Sequence, residues 1–332
     1  MSDYLWDGSG ERDPEVERLE RLLSSLRSHR PAPELPAPAN QRAFGGTLPV
    51  VVAAAAVALA VAGTWLAARS PAPAWEVTRL APSAGGDAVA GVERLRVGQW
   101  LETDAFSRAR VKVGLIGEVE VEPLTRLRLV DAGARFHRLS LAHGTLHARI
   151  WAPPGGFLVD TPSALAVDLG CAYTLQVDES GSGLLRVGSG WVGFEYRGHE
   201  SFVPEQARCR TRPGVGPGTP YYEDAPPELV RALSEVDFGP GPARPEALAR
   251  VLGTARRRDA LSLWHLLGRL GPLDRAAVYP RMAELVPPPA GVTREGVLAG
   301  DRSMLDRWWE ALGLGSVDWW RRWKAPLPSE LR

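Results

Sequence analysis

The longest uniform pattern along the chain is a run without charge from Ala43 to Ala68, in a sequence that is otherwise 23% charged. Its core, residues 48–68, reads LPVVVAAAAVALAVAGTWLAA. As an α-helix rising about 1.5 Å per residue it would be ~31 Å long, close to the hydrocarbon thickness of a bilayer. Pro49 suits a first helical turn, and Trp65 suits the headgroup level. We therefore predict a single transmembrane α-helix over residues 47–69, rather than an Ala-rich buried helix or a cleaved signal peptide.

A second, shorter pattern lies upstream, where apolar residues recur at spacings of three and four. Asp13 is suited to the N-cap position and Pro14 to the first helical turn. The apolar stripe consists of Val16, Leu19, Leu22, Leu23 and Leu26. An isolated helix of this length has nothing in its own segment to bury against. We expect it to lie on a membrane, pair with a copy of itself or dock on a partner protein.

Downstream of the uncharged run, polar and apolar residues alternate with a period of two, as in half-buried strands. The first three strand candidates read SRARVKV, EVEVE and TRLRLV, and as sequential neighbours they would place an acidic row between two basic rows. Further strand candidates follow at 137–142, 145–151, 157–161, 164–169, 172–178, 184–188 and 190–196. The pattern predicts an all-β domain, either an antiparallel sandwich or a rolled sheet.

Beyond this region, residues 213–227 are rich in Pro and Gly and predict a linker or a wrapped connection. Helical periodicity then returns, with predicted helices from Asp259, over about 272–285, over 303–312 and from Asp318. The predicted organisation is multi-domain, with a small all-α module at the C-terminal end. Its parts are a tail with the amphipathic helix (1–46), the transmembrane helix (47–69), a linker (70–76), the β domain (77–212), the Pro/Gly linker (213–227) and the helical module (228–332).

The charges flanking the uncharged run indicate its orientation. Three arginines, at positions 27, 30 and 42, precede the run, whereas the nearest ones after it are Arg69 and Arg79. The positive-inside bias therefore favours a cytoplasmic N-terminus, with the long C-terminal part on the other side of the membrane. Cys171 and Cys209 both lie on the long side, where a disulfide and two chance buried thiols are about equally favoured. With 39 basic and 39 acidic residues the chain has no net field to recruit nucleic acid.

Catalytic or metal-binding patterns are weak. His137, His143 and His147 cluster, but no Cys or carboxylate sits at ligand spacing nearby. The three glutamates of EVEVE alternate onto one solvated face, where no apolar pocket would shift a carboxyl pKa. The sequence shows no Ser-His-Asp grouping. It also shows no glycine-rich, phosphate-binding loop at the start of a predicted helix. We therefore expect no enzymatic activity, no metal and no cofactor.

Tryptophan and arginine are interleaved near the C-terminal end of the chain. The tryptophans are Trp308, Trp309, Trp319, Trp320 and Trp323. Such a segment suits core packing in a small domain, a recognition surface for a partner, or contact with a lipid leaflet. Core packing is favoured, and the other two interpretations stay open.

Five segments of the β region together resemble a known family. They are VGQWLETD (97–104), EVEVEPLTRLRL (118–129), LSLAHGTLHARI (139–150), FLVDTPSALAVDLGCAYTLQV (157–177) and LRVGSGWVGFEY (185–196). In order and spacing they resemble the FecR-like periplasmic domain, over about residues 77–212. The resemblance implies a single-pass inner-membrane regulator whose β domain senses an outer-membrane receptor and whose cytoplasmic tail controls a sigma factor. The chain departs from the family in its short tail, in Cys171 at a usual Thr position and in its helical C-terminal part.

From these patterns we expect a signal-transducing regulator that links an extracytoplasmic β sensor to a cytoplasmic partner. The partner inside would be a sigma factor, contacted by the amphipathic helix, and the partner outside an envelope protein. The alternative is a membrane-tethered envelope scaffold or binding protein without sigma-factor regulation, which would use the Trp-rich segment.

Overall fold

The computed structural model describes residues 14–24, 74–83, 86–133, 136–239, 241 and 244–315. The chain divides into two units, residues 1–70 and residues 71–332. In the first unit the described residues form helix α1, Pro14–Leu23. The predicted transmembrane helix over 47–69 and the predicted helix from Asp318 lie outside the described residues.

The second unit is built on a sheet of sixteen strands within its described residues. The strands β1 to β16 are Ala74–Ser83, Gly86–Arg96, Trp100–Glu102, Arg108–Val113, Gly117–Val121, Arg126–Ala132, His137–Ile150, Phe157–Asp160, Leu165–Asp168, Ala172–Val177, Gly183–Ser189, Trp191–Tyr196, His199–Pro204, Ala207–Arg212, Gly216–Pro217 and Tyr221–Tyr222. Every described strand pair is antiparallel except β7 with β8, which run parallel.

The sheet has two branches that share β7. Branch A runs in the order β2-β1-β4-β5-β7-β10-β11-β14, with β15 and β16 paired to β14. Branch B runs in the order β3-β6-β7-β8-β9-β12-β13. The first half of β7 pairs with β6 and β8, and the second half pairs with β5 and β10. One strand therefore joins the two branches.

Gly144 marks the point at which β7 passes from one branch to the other. Its φ is +102°, and a Cβ built there would lie 2.3 Å from Oγ1 and 2.4 Å from Cα of Thr125. Only glycine avoids both the backbone strain and the clash. The sequence pattern predicts two strands separated at this glycine, whereas the structure has one strand that bends at it.

The pairing of the charged strands differs from the prediction in one place. As predicted, β4 pairs with β5, which puts Arg110 opposite Glu120. The other neighbour of β5 is β7 and not β6, so that His147 lies opposite Glu120 and Arg149 opposite Glu118. Because β7 also carries basic side chains, it provides partners for the glutamates of β5. Strand β6 pairs instead with β3 and with the first half of β7.

Helices pack against part of the sheet, and the burial pattern of the strands reflects this. In β4 the buried residues alternate with exposed ones, so one face is wet. In β8, Phe157, Leu158 and Val159 are all at most 1% exposed, so both faces are covered. The helices after the sheet are α2 (Pro227–Phe238), α3 (Arg244–Thr254), α4 (Ala260–Arg269), α5 (Pro272–Leu285), α6 (Arg294–Ala299) and α7 (Arg302–Ala311).

The helices share one hydrophobic core with the strands, whereas the sequence pattern predicts a separate helical module. The connecting segment 213–227 contains β15 and β16, and residues 216–222 are buried. Its carbonyls accept hydrogen bonds from the helices: Ser262 Oγ donates to Pro220 at 2.6 Å, and Arg269 Nη1 donates to Pro217 at 3.0 Å. The segment is thus part of the seam between sheet and helices.

The predicted fold class is wrong. The sheet is mixed and carries the C-terminal helices on it, so it is neither a wholly antiparallel β domain nor a β domain followed by an independent helical one. Among the described residues, no helix combines the length and the apolar character that crossing a bilayer requires. The uncharged composition of residues 43–68 was the basis of the transmembrane prediction, and the described helices give it no support.

Candidate functional site

A row of directly opposed residues crosses the solvent face of branch A. The strand register aligns Arg110, Glu120, His147, Thr174, Arg186 and Arg208. Alternation places these side chains on the face opposite the core, since their neighbours Val111, Val119 and Leu175 are buried. The face is therefore polar from β4 to β14.

The charges on this face are paired. Arg110 Nη2 lies 3.1 Å from Glu120 Oε1, and His147 lies between Thr174 (Nδ1 to Oγ1, 2.9 Å) and Glu122 (Nε2 to Oε1, 3.1 Å). At the far side Glu223, in the turn after β16, accepts hydrogen bonds from both Arg186 and Arg208. The hydrogen bond from Arg186, reinforced by Arg208, lowers the pKa of Glu223.

A shallow groove of about 430 Å³ follows this row. Its walls include Glu120, Glu122, His147, Thr174, Arg186 and Glu223. Each charged group already has a protein partner, so the groove offers alternating donors and acceptors and no activated nucleophile or base. Such a surface is suited to a polar ligand or to a partner chain.

A buried polar cluster lies at the start of β10. Asp168 is 0% exposed, and its carboxylate accepts hydrogen bonds from the Gly170 N–H at 2.7 Å and from Cys171 Sγ at 2.8 Å. Burial raises the pKa of Asp168 to about 7 and also raises the pKa of the Cys171 thiol. The hydroxyl of Tyr173 is buried close by and has no hydrogen-bond partner within the described structure. Sequence reasoning missed this cluster; its signal was a carboxylate between the apolar residues Val167 and Leu169.

The two cysteines are free thiols, so of the two alternatives that the sequence left open, the disulfide is not formed. Cys209 lies opposite Leu185 on β11, whereas Ala172, the neighbour of Cys171, lies opposite Ser189 on the other side of the same strand. This offset of four residues along β11 corresponds to ~13 Å at 3.3 Å per residue, and a disulfide allows Cα atoms at most about 7 Å apart. Cys209 Sγ instead donates a hydrogen bond to the Gly218 carbonyl at 3.2 Å.

Trp308 and Trp309, predicted as core or as partner contacts, lie in the core. Their exposed fractions are 0% and 2%. The ring of Trp309 lies 4.6 Å from that of Trp264 and 5.8 Å from that of Phe202, between centroids. The indole N–H of Trp308 donates to the Val286 carbonyl at 3.1 Å. They are therefore inaccessible to a partner, and Trp319, Trp320 and Trp323 lie outside the described residues.

The three clustered histidines are dispersed by the fold. His137 packs beside Trp75 with ring centroids 5.6 Å apart, His143 lies opposite Arg126, and His147 belongs to the polar groove. Within the described ranges no group of three or more His, Cys, Asp or Glu side chains is arranged to hold a metal ion. The glutamates of EVEVE take part in ion pairs on the wet face, as their alternation predicts.

Helix α1 presents its apolar stripe to solvent. Leu19, Leu22 and Leu23 are 56%, 67% and 55% exposed. The side chain of Val16 and the whole of Leu26, the other two members of the stripe, lie outside the described residues. Three neighbouring leucines on one helical face are an apolar surface of the kind that binds a groove on another protein.

The likeness of this chain to known proteins is weak. No family model matches the chain, and no curated protein matches it either. Two solved structures of a candidate anti-sigma factor from Parabacteroides distasonis are similar at 16% identity and a TM-score of 0.34. The match covers 40% of this chain and 63% of theirs, which is less than two thirds of their length. At this TM-score the likeness carries no argument about function.

Proposed function

We propose that this chain is a regulator that binds a protein partner through helix α1 and receives its signal on the large sheet unit. The partner of the helix would be a sigma factor in the cytoplasm. The observation that carries the proposal is the exposure of Leu19, Leu22 and Leu23, each more than half accessible on one helical face. Burying such leucines on a partner is favourable by about 1.5–3 kcal/mol each.

Two further features support the same proposal. The five segments between residues 97 and 196 resemble the FecR-like domain of sigma-factor regulators. The groove on branch A, with its paired charges from Arg110 to Glu223, is a polar surface on which an envelope protein would dock. The location at the bacterial inner membrane is part of this proposal.

The scaffold alternative depended on the Trp-rich segment as a binding surface. With Trp308 and Trp309 inside the core, that surface loses two of its five tryptophans. The regulator is therefore the function that we propose.

Affinity capture with the full chain tests the proposal. Wild type should retain a sigma factor from the source cells, identified by mass spectrometry. The triple replacement Leu19→Ser, Leu22→Ser, Leu23→Ser should weaken binding of the purified sigma factor at least about tenfold, since each leucine buries apolar area. The matched control Arg21→Gln changes the opposite face of the same helix and should bind like wild type. If no sigma factor is retained, or if both variants bind equally, the proposal is wrong.

A further inference from the structure

Exposed apolar side chains lie at the end of branch A where β4 turns into β5. Leu115, in the turn between β4 and β5, is 99% exposed, and Trp151, directly after β7, is 74% exposed. The Trp151 N–H donates to the Ile116 carbonyl at 2.7 Å, so these two apolar residues belong to adjacent chain segments. Val97, just after β2, is 43% exposed. Three strand ends thus carry an unburied apolar residue.

The exposed apolar residues at this end do not belong to the groove described above. Leu115 lies in a turn and Trp151 directly after β7, and neither lines that groove. Pro153 and Pro154, which follow Trp151, are exposed too. Projecting turns that carry Leu and Trp suit the interface of a bilayer, where an indole ring is favoured at headgroup depth.

The chain enters this unit at the same end. Glu76 of β1 lies opposite Lys112 of β4, so Ala74, where β1 begins, lies beside the turn that carries Leu115. Arg96, opposite Ala74, ends β2 just before Val97. In sequence, the segment before Ala74 leads directly from the uncharged run Ala43–Ala68. The exposed apolar residues therefore lie at the end of this unit at which β1 begins.

We infer that this end of branch A contacts a lipid surface, with Leu115 and Trp151 inserted at the headgroup level. The charges here are mixed, because Arg96, Lys112 and Arg149 lie near Glu76 and Glu118. Insertion therefore depends mainly on the apolar side chains and only weakly on anionic lipid. The inference does not rest on the sigma-factor partner.

Site-specific fluorescence on the full chain tests this contact. The native thiols, Cys171 and Cys209, are buried, so a new cysteine at an exposed position is labelled selectively. An environment-sensitive dye is attached at Leu115→Cys or, as the matched control, at Phe106→Cys. Phe106 is 77% exposed and lies in the turn before β4, at the opposite end of that strand. Unmodified wild type, carried through the same reaction, reports any labelling of the native thiols.

Each labelled chain is mixed with phosphatidylcholine vesicles, with and without phosphatidylglycerol, and then with vesicles of brominated phosphatidylcholine. We expect a blue shift and strong quenching of the dye at position 115 with both lipid compositions, and neither at position 106. Trp151→Ser should reduce the quenching at position 115. Equal quenching at both positions, no quenching at position 115, or a shift that needs only a higher protein concentration and no lipid would overturn the inference.

Discussion

The imidazole of His265 accepts a hydrogen bond from the backbone N–H of Phe202 at 3.0 Å. This bond ties helix α4 to strand β13. The other ring nitrogen, Nδ1, donates to the Leu261 carbonyl at 2.8 Å, so the ring is neutral and both nitrogens are used. Burial, and secondarily the charge of Arg269, lowers the pKa of His265 to about 3. Sheet and helices are therefore expected to unfold together.

Replacing His265 with leucine tests whether this hydrogen bond couples helix α4 to strand β13. His265→Leu removes the imidazole acceptor of the buried Phe202 N–H, which costs about 1–3 kcal/mol of the free energy of unfolding. Urea denaturation followed by circular dichroism measures the loss as a single transition. His199→Leu, on an exposed histidine of β13, should change stability by less than about 0.5 kcal/mol. Two separate transitions in wild type would show that the helices fold independently.

The pH dependence of the unfolding free energy should reveal the raised pKa of Asp168. Its pKa is raised from 3.8 to about 7 in the folded state, so between these values the folded state binds the proton that the unfolded state has lost. This contribution makes the free energy of unfolding fall as pH rises from about 4 to about 7, by at most about 1.4 kcal/mol per pH unit. Asp168→Asn should remove that fall. If wild type and Asp168→Asn have parallel stability curves over this range, the carboxyl is not held neutral in the fold.

His265 has the opposite effect over an overlapping range. Its pKa falls from 6.5 to about 3 on folding, so the unfolded state binds the extra proton and stability rises with pH between those values. In wild type the two slopes oppose each other between about pH 4 and pH 6.5. Relative to wild type, His265→Leu should therefore become less stable as pH rises across that range, and Asp168→Asn more stable. Chemical denaturation at a series of pH values measures both differences. If the stability of the two variants relative to wild type changed with pH in the same direction, the opposite pKa shifts of Asp168 and His265 would be contradicted.

Gly144 should be intolerant of any side chain. Gly144→Ala places a Cβ within 2.6 Å of three atoms of Thr125 and forces a non-glycine residue to a φ of +102°. We expect a loss of at least about 2 kcal/mol in unfolding free energy. The matched control is Gly91→Ala in β2, where no atom lies within 4 Å of the new Cβ. Similar stability of the two variants in thermal denaturation would mean that β7 does not bend sharply at Gly144.

Trp309 should behave as a core residue. Trp309→Ala removes a ring that contacts Trp264 and Phe202, and we expect a loss of about 3–5 kcal/mol in unfolding free energy. Trp151→Ala removes a ring that is 74% exposed and should cost less than about 0.5 kcal/mol. Urea titration of both variants separates the two roles. A small loss of unfolding free energy for Trp309→Ala would contradict its place in the core and favour a contact with a partner.

The strands were predictable where the pattern is local. Alternation located β4 and β5 within a residue of their observed bounds, and the helical spacing located α5 over 272–285. Strand β2 was not predicted because much of its length is exposed and the alternation is weak; Val89 and Val92 are each 65% exposed. Local periodicity does not report how far a strand is covered.

Pairing and burial across the chain were not predictable from the pattern. The glutamates of β5 could pair with the basic side chains of either β6 or β7. Alternation alone does not show that β7, with His147 and Arg149, is the neighbouring strand. The same limit hid the buried Asp168, because only the fold shows that it is fully removed from solvent. The leucine stripe of α1 was predictable because it depends on helical spacing alone.

Photo-crosslinking from helix α1 tests the central claim most directly. A photoreactive amino acid is placed at Leu22, on the apolar face, or at Arg21, on the opposite face, in the full chain expressed in the source cells. The account predicts that position 22 crosslinks to a sigma factor and that position 21 does not. If position 22 crosslinks to other proteins or to lipid but never to a sigma factor, the proposed regulatory role is contradicted.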